Sequence, residues 1–381
     1  MFKGFKIKIY PTKEQADFII NSCNVARYVY NWTIATEKDN YEKGEKFLSN
    51  FTLHKRMTQF KKQPENYWLK QVSNKTLVYA INDAVEAYKL FFKGIKNYPK
   101  FKKKNKSKMS FGVRQDKRFV LEKDRVLCEK LGWIKTKKHN IPLNQKYFTV
   151  RISFDGDNFW LGLCVEYPDD YFYINNQNKT ESIGIDLGLK TLAVCSNGKK
   201  LRKPSIKKYQ KRIRRLRKKA SRNYEKMLEV QKKTKIKFSE QIKSKNLLKV
   251  ESKIRKDYRR INDILTSNIH LFTKKLIKEN PKSIVIENLN VIGMMQNKNL
   301  SSKLMEAKFY EFRRQLEYKC KWYGIDLILA DRWYPSSKIC SCCGNKKKIL
   351  KLDERTYKCE KCGLIIDRDY NAALNLRNLA L

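Results

Sequence analysis

The chain opens with alternation. In "FKIKIY", Phe5, Ile7 and Ile9 fall on one side and the lysines on the other, which reads as a half-buried strand. The period then lengthens. "PTKEQADFIINSCNVARYVYNWTIA" places Phe18, Ile19, Val25, Val29 and Trp32 on one helical face. Thr12 and Gln15 have the spacing of a capping box, with Pro11 beside it. A second helix is predicted over Leu53 to Phe60. A third begins after Ser73, with Leu77, Ile81, Ala84, Val85, Tyr88, Phe91 and Phe92 on one side. "KGIKNYPKFKKKNKSK" follows as a basic loop broken by Gly94 and Pro99. From Phe111 to Tyr167 the period returns to two, and "VRISFDGDNFWLGLCVEY" reads as a hairpin turning at Asp155-Gly156. The polar stretch "PDDYFYINNQNKTE" reads as a linker between domains.

The second half starts with "SIGIDLGLKTLAVCSNGKK", two strands with a turn at Asn197-Gly198. From Ser205 to about Asn262 the pattern is helical and very basic. "SIVIENLNV" holds a short buried strand, Ser283 to Leu289. "KFYEFRRQLEYKCKWYG" is an amphipathic helix, and "IDLILADRWYPSS" another strand. A cysteine module and a last helix follow, and no internal repeat is visible.

Composition sharpens this picture. Across 381 residues, 85 Lys and Arg stand against 38 Asp and Glu, a formal net charge of +47. Such an excess calls for a polyanion, because each neutralised phosphate releases a counterion. Aromatics at 12% indicate a folded chain that carries this charge on its surface. No long apolar run suggests a membrane, and the first residues lack the apolar core of a signal peptide, so an intracellular, cytoplasmic protein is expected. Ten cysteines in a reducing compartment are then buried thiols or metal ligands. The single-sign helices around Arg212, Arg214, Arg215 and Arg217 are expected to meet nucleic acid, since their self-repulsion needs compensation.

Three acids stand out. Asp186 lies in "IGIDLGLK" and Glu287 ends "IVIEN", both in apolar strand patterns where a carboxylate is costly unless paired or metal-bound. Asp369 sits in "DRDYNAA" at the start of the last helix. Three carboxylates from distant segments suit a hard cation such as Mg²⁺, and two such ions can clamp the attacking and leaving oxygens of a phosphodiester. Taken alone, each acid reads as an ordinary strand-end or capping residue. Together, in so basic a chain, they point to metal-dependent phosphodiester chemistry. Of the two aspartates in "DRD", Asp369 is preferred as ligand, with Asn371 placed to orient it, and Asp367 is left to cap the helix.

Cys340 and Cys343 form one CxxC, Cys359 and Cys362 another, with fifteen residues between the pairs and a glycine after each (Gly344, Gly363). That is the spacing of a tetrahedral four-cysteine zinc site. Cys342 competes with Cys343 in the first pair, and the repeated CxxCG favours Cys343. The three histidines, His54, His139 and His270, are too scattered for a histidine-metal nuclease motif.

"YPTKEQADFIINSCNVARYVYNW", "YPKFKKK", "GIDLGLK", "IVIENLNV", "EFRRQLEYKCKWYG", "DRWYPSSKICSCCG" and "CEKCGLIIDRDYNAALN" together resemble the TnpB family. These are RNA-guided endonucleases encoded by insertion sequences and presumed ancestors of the type V CRISPR nucleases. The resemblance runs through nearly the whole chain, in the family's order. It implies an α/β multidomain protein: a wedge-like N-terminal β-barrel whose first strand is residues 1–10, an inserted helical recognition domain over 11–110, and the rest of the barrel over 111–175. It further implies a RuvC-like nuclease domain with an RNase H fold over 176–334, a zinc ribbon over 335–366, and the last acid and helix over 367–381.

The same resemblance implies Asp186, Glu287 and Asp369 as catalytic ligands of two Mg²⁺ ions. It implies one structural Zn²⁺ on the four cysteines and a guide RNA from the transposon end (ωRNA or reRNA). The partner is double-stranded DNA, cut in a single site beside a short flanking motif that the protein reads. That reading is expected on the helix after Ser73, which carries Asn74, Lys75 and Tyr79. Lys100, Lys102 and Lys103, with the arginines above, are expected on RNA or heteroduplex phosphates. The protein is expected as a monomer within its ribonucleoprotein. An RNA-guided repressor that binds without cutting is the alternative, and the intact acids speak against it. An RNase H-fold transposase is another, and the Asp–Glu–Asp order speaks against that.

Overall fold

The structure is a computed structural model, and it describes residues 1–104, 107–169, 171, 179–234, 243–351 and 354–380. The chain forms two units, Met1–Tyr167 and Pro168–Leu381. Most of the linker expected between domains lies outside the described residues.

In the first unit, β1 (Phe2–Tyr10) leads into α1 (Lys13–Glu42). The capping box is present: the Thr12 hydroxyl accepts from the Gln15 amide at 3.3 Å, and the Gln15 side chain accepts from the Thr12 amide at 3.0 Å. Ile19, Val25 and Val29 are buried, as the helical face requires. α2 (Asn50–Phe60) and α3 (Asn74–Phe92, capped by Ser73) follow. The sheet resumes with β2 (Met109–Gly112), β3 (Val120–Leu121), β4 (Arg125–Cys128), β5 (Gly132–Thr136), β6 (Tyr147–Phe154) and β7 (Phe159–Glu166). Their order is β2-β6-β7-β1-β5-β4-β3, antiparallel throughout. The helices are therefore an insertion after the first strand of this sheet. Among the described residues no ladder pairs β2 with β3, so the sheet is seen as an open series. The β6–β7 hairpin turns at Gly156, whose φ of 92° suits a residue without Cβ.

The second unit is built on β8 (Ile183–Leu187), β9 (Thr191–Cys195) and β10 (Lys200–Arg202), three strands where the pattern suggested two. The Asn197-Gly198 turn joins the last two. Next come α4 (Lys207–Thr234), α5 (Lys245–Lys278), β11 (Ser283–Ile286), α6 (Val291–Met295), α7 (Lys298–Ala307), α8 (Phe309–Tyr323) and β12 (Asp326–Leu329). The sheet order is β10-β9-β8-β11-β12. β11 is parallel to both β8 and β12, while β9 is antiparallel to its two neighbours. A small hairpin, β13 (Thr356–Lys358) and β14 (Ile365–Asp367), precedes α9 (Arg368–Asn378). α5 and α8 cover the sheet through Ile269, Leu276, Phe312 and Leu316.

Gly184 shows how α9 reaches the sheet. A Cβ there would lie 2.0 Å from the Ala373 carbonyl oxygen and 2.3 Å from the Arg377 amide nitrogen. Only glycine lets the α9 backbone lie directly on β8. That contact brings the start of α9 towards the end of β8.

Candidate active site

β8 and β11 run parallel, with Ile185 opposite Ile286. One step further, Asp186, near the end of β8, and Glu287, just past the end of β11, come side by side. Their carboxyls share a hydrogen bond. Burial is the leading cause that raises both above the ordinary carboxylate range, well above for Asp186. The neighbouring charge of Glu287, then that of Asp369, pushes Asp186 up further. The Ser336 hydroxyl donates to Glu287 Oε1 at 2.9 Å and partly offsets the rise there. Like charges held this close in a partly dry site favour either a shared proton or a cation. The donor set, all carboxylate oxygen, is the type that hard divalent ions take.

Asp369 arrives from α9 and is near enough for its charge to act on both other acids. It is half-buried, and Arg355 lies 3.9 Å from its carboxylate. The three acids are not packed as tightly as the cysteines: among the described residues, the four cysteines are the group of three or more ligating side chains whose donor atoms all lie within 4.8 Å of one another. Asp367 is exposed, and its carboxylate accepts from the Tyr370 amide at 2.9 Å as the α9 N-cap. Asn371 does not turn to Asp369. It is fully buried, donates to the Ile339 carbonyl at 2.7 Å and accepts from the Ser341 amide at 3.0 Å. Asn375 donates to Ser336 and Ile339 carbonyls, both at 2.7 Å. These two asparagines fasten the cysteine module to the helix that bears Asp369.

Cys340, Cys343, Cys359 and Cys362 converge. The Cys340–Cys362 and Cys343–Cys359 sulfurs are 3.6 and 3.5 Å apart, close to the roughly 3.8 Å edge of a tetrahedron with Zn–S bonds of about 2.3 Å. The set could therefore bind zinc. Gly344 and Gly363, at φ 72° and 74°, close the two knuckles, and each amide donates back to the first cysteine of its pair. Backbone amides of Cys362 and Lys361 aimed at Cys359 bring its thiol down to about 6. Cys342 is exposed and outside the set.

A cleft of about 240 Å³ opens beside Glu287, lined in part by Leu187, Tyr310, Arg313 and Arg332. Of the residues expected on nucleic acid, Lys100, Lys103, Arg214, Arg215 and Arg217 are exposed. Arg217 also lies over the Tyr258 ring. Two others are engaged internally. Lys102 Nζ sits 3.6 Å from the centre of the Tyr30 ring. Arg212 forks onto Asp257, a buried residue of α5, and so ties α4 to α5. Asn74 accepts from Lys61 at 2.7 Å, Lys75 is half-buried, and the Tyr79 ring packs on Gly112. Sequence reasoning missed Ser336, although it lies in the motif "DRWYPSS". A hydroxyl gives no periodic signal that would single it out.

Three family models match the chain. One described as a helix-turn-helix domain matches residues 1–46, one described as a probable transposase matches 162–298, and one described as the Cas12f1-like TNB domain matches 309–376. Residues 1–46 here hold one strand and a single 30-residue helix, not two helices about a turn. A Streptomyces pristinaespiralis protein named "Putative RNA-guided DNA endonuclease" is 30% identical over 98% of this chain and 88% of its own length. InsQ of Escherichia coli K12, which carries the same description, is 26% identical over 98% of this chain and 91% of its own. Among solved structures, a Cas12f1–sgRNA–target DNA complex aligns over the whole of both chains at 17% identity and a TM-score of 0.36, too distant to bear on the fold.

Proposed function

The chain belongs to the TnpB family of RNA-guided DNA endonucleases, and from that premise we propose that it cuts double-stranded DNA beside a short flanking motif, directed by a transposon-end RNA, in one carboxylate site. The observation that carries the reading is the pairing of Asp186 with Glu287 across parallel strands, with Asp369 brought in on α9. The strand order of this sheet, three antiparallel strands followed by two parallel ones, supports a RuvC-like nuclease of the RNase H type.

Asp186, Glu287 and Asp369 would hold Mg²⁺. Two such ions supply charge neutralisation at the attacking and leaving oxygens of a phosphodiester. The chain's own groups do the positioning. Ser336 fixes the Glu287 carboxyl, Gly184 lets α9 lie against β8, and the buried asparagines hold that helix to the cysteine module. The module, with one Zn²⁺, acts as a structural brace in this reading. The exposed cations of α4 serve the RNA or the heteroduplex, in a cytoplasmic ribonucleoprotein with one protein chain. The bacterial sources of the two relatives fit that location.

The test is to sequence the RNA that co-purifies with the chain, then supply DNA matching its variable end. Mg²⁺-dependent cutting of matched but not mismatched DNA is expected. Absence of any defined RNA, or equal cutting of both DNAs, would contradict the proposal.

A further inference from the structure

Glu287 has one of its two oxygens already engaged: Oε1 accepts from the Ser336 hydroxyl at 2.9 Å. Both ends of that bond are fixed. Ser336 is 5% exposed, its amide donates to the Tyr334 carbonyl at 2.9 Å, and its carbonyl accepts from the buried Asn375 side chain at 2.7 Å. On the other side, β11 pairs with β12 as far as Ile286, and the Ile286 carbonyl accepts from the Ala330 amide at 2.9 Å. The residue that follows, Glu287, therefore starts from a clamped backbone. Its bond with Asp186 joins two members of the proposed ligand set. Ser336 lies outside that set, so its bond can persist with an ion in place.

We propose that Ser336 is a positioning residue that sets the ion preference of the carboxylate site: by holding Oε1 it offers Glu287 as a one-oxygen ligand and so favours Mg²⁺ over Ca²⁺. The inference rests on the nuclease reading above. Mg²⁺ demands near-ideal octahedral geometry and keeps several of its waters, so a single carboxylate oxygen suits it. Ca²⁺ takes about six to eight oxygens in a looser shell and often grips both oxygens of one carboxylate. A two-oxygen grip on Glu287 would compete with the Ser336 hydroxyl for Oε1 and leave that buried hydroxyl without its acceptor. The larger ion thus loses a binding mode that the smaller one does not need. Ser336→Ala frees Oε1 while leaving the backbone carbonyl that Asn375 uses.

The test needs no DNA. The full chain with its co-purified RNA is loaded with Fe²⁺ in place of Mg²⁺ and treated with ascorbate and peroxide, so that site-bound iron cleaves the polypeptide locally. Mass spectrometry maps the breaks around Asp186 and Glu287, and Asp186→Ala marks the background that is not site-bound. Mg²⁺ or Ca²⁺ is then titrated in to suppress those breaks, and the ratio of the two half-suppressing concentrations is the ion preference. Wild type should need more Ca²⁺ than Mg²⁺. Ser336→Ala should shift the ratio towards Ca²⁺ by roughly 5-fold or more, the net worth of one hydrogen bond, with unchanged zinc content. Ser336→Thr, which keeps the hydroxyl, should hold the wild-type ratio. An unchanged ratio in Ser336→Ala, or an equal shift in Ser336→Thr, overturns the proposal and leaves the nuclease reading standing. No site-directed breaks in the wild-type protein would remove the metal site itself, and the nuclease reading with it.

Discussion

Ile339 offers its carbonyl to two buried amides, Asn371 and Asn375, both at 2.7 Å. This shared acceptor predicts a specific non-additivity. Asn371→Ala leaves the half-buried Ser341 amide without its acceptor, while Ile339 keeps Asn375. Asn375→Ala strands the Ser336 carbonyl, while Ile339 keeps Asn371. Each single change orphans one backbone group, a cost of about 1–2 kcal/mol at the lower end of the range for unsatisfied polar groups. The double change orphans those two and Ile339 as well, so about 1 kcal/mol of extra loss should appear as coupling. Equilibrium urea unfolding in zinc-saturated buffer measures this, with the transition of the C-terminal unit marked by release of the metal. Singles that add to the double within about 0.3 kcal/mol would refute the shared-acceptor account.

Asp186→Asn removes a charge that burial and Glu287 oppose. The wild-type carboxyls hold protons to higher pH folded than unfolded, so their contribution to stability is present at low pH and lost as pH rises through the raised folded values. In Mg²⁺-free buffer the variant's advantage in urea midpoint over wild type should therefore grow between pH 5 and pH 8, and a constant difference would contradict it. Cys342→Ser should retain about one zinc per chain by elemental analysis, whereas Cys359→Ser should lose it. Arg214→Gln with Arg215→Gln should flatten the salt dependence of RNA binding by roughly 0.7–0.9 for each phosphate no longer neutralised, and leave stability unchanged. Arg212→Gln should instead lower the urea midpoint, because Asp257 is left buried without its partner, and an unchanged midpoint would contradict this.

Much of this was legible in the sequence because it is periodic or regularly spaced. The capping box at Thr12, the face of α1, the start of α3 after Ser73 and the CxxCG knuckles are local patterns, and each fixes its own geometry. The choice of Cys343 over Cys342, and of Asp367 as cap, followed from symmetry and from helix-start chemistry. What escaped depends on partners far away in the chain. Asn371 looked like a neighbour for Asp369 but answers to Ile339 and Ser341. Arg212 and Lys102 were read as cations for nucleic acid, and nothing local in the sequence shows that Asp257 and Tyr30 also engage them. Strand ends were also overrun: the apolar run to Leu289 pairs only as far as Ile286, which leaves Glu287 just beyond the ladder.

The most direct measurement of the central claim is cutting of matched double-stranded DNA, in Mg²⁺ and with guide RNA bound, by Asp186→Ala, Glu287→Ala, Asp369→Ala and Asp367→Ala side by side. The first three should bind guide and target yet cut on the order of 100-fold more slowly or worse, because misplaced reacting groups cost at least that much. Asp367→Ala, which loses a helix cap and a long, exposed ion pair to Lys200, should retain substantial cutting. A dead Asp367→Ala beside an active Asp369→Ala would move the third ligand by two residues, and normal cutting by all four would contradict the carboxylate site itself.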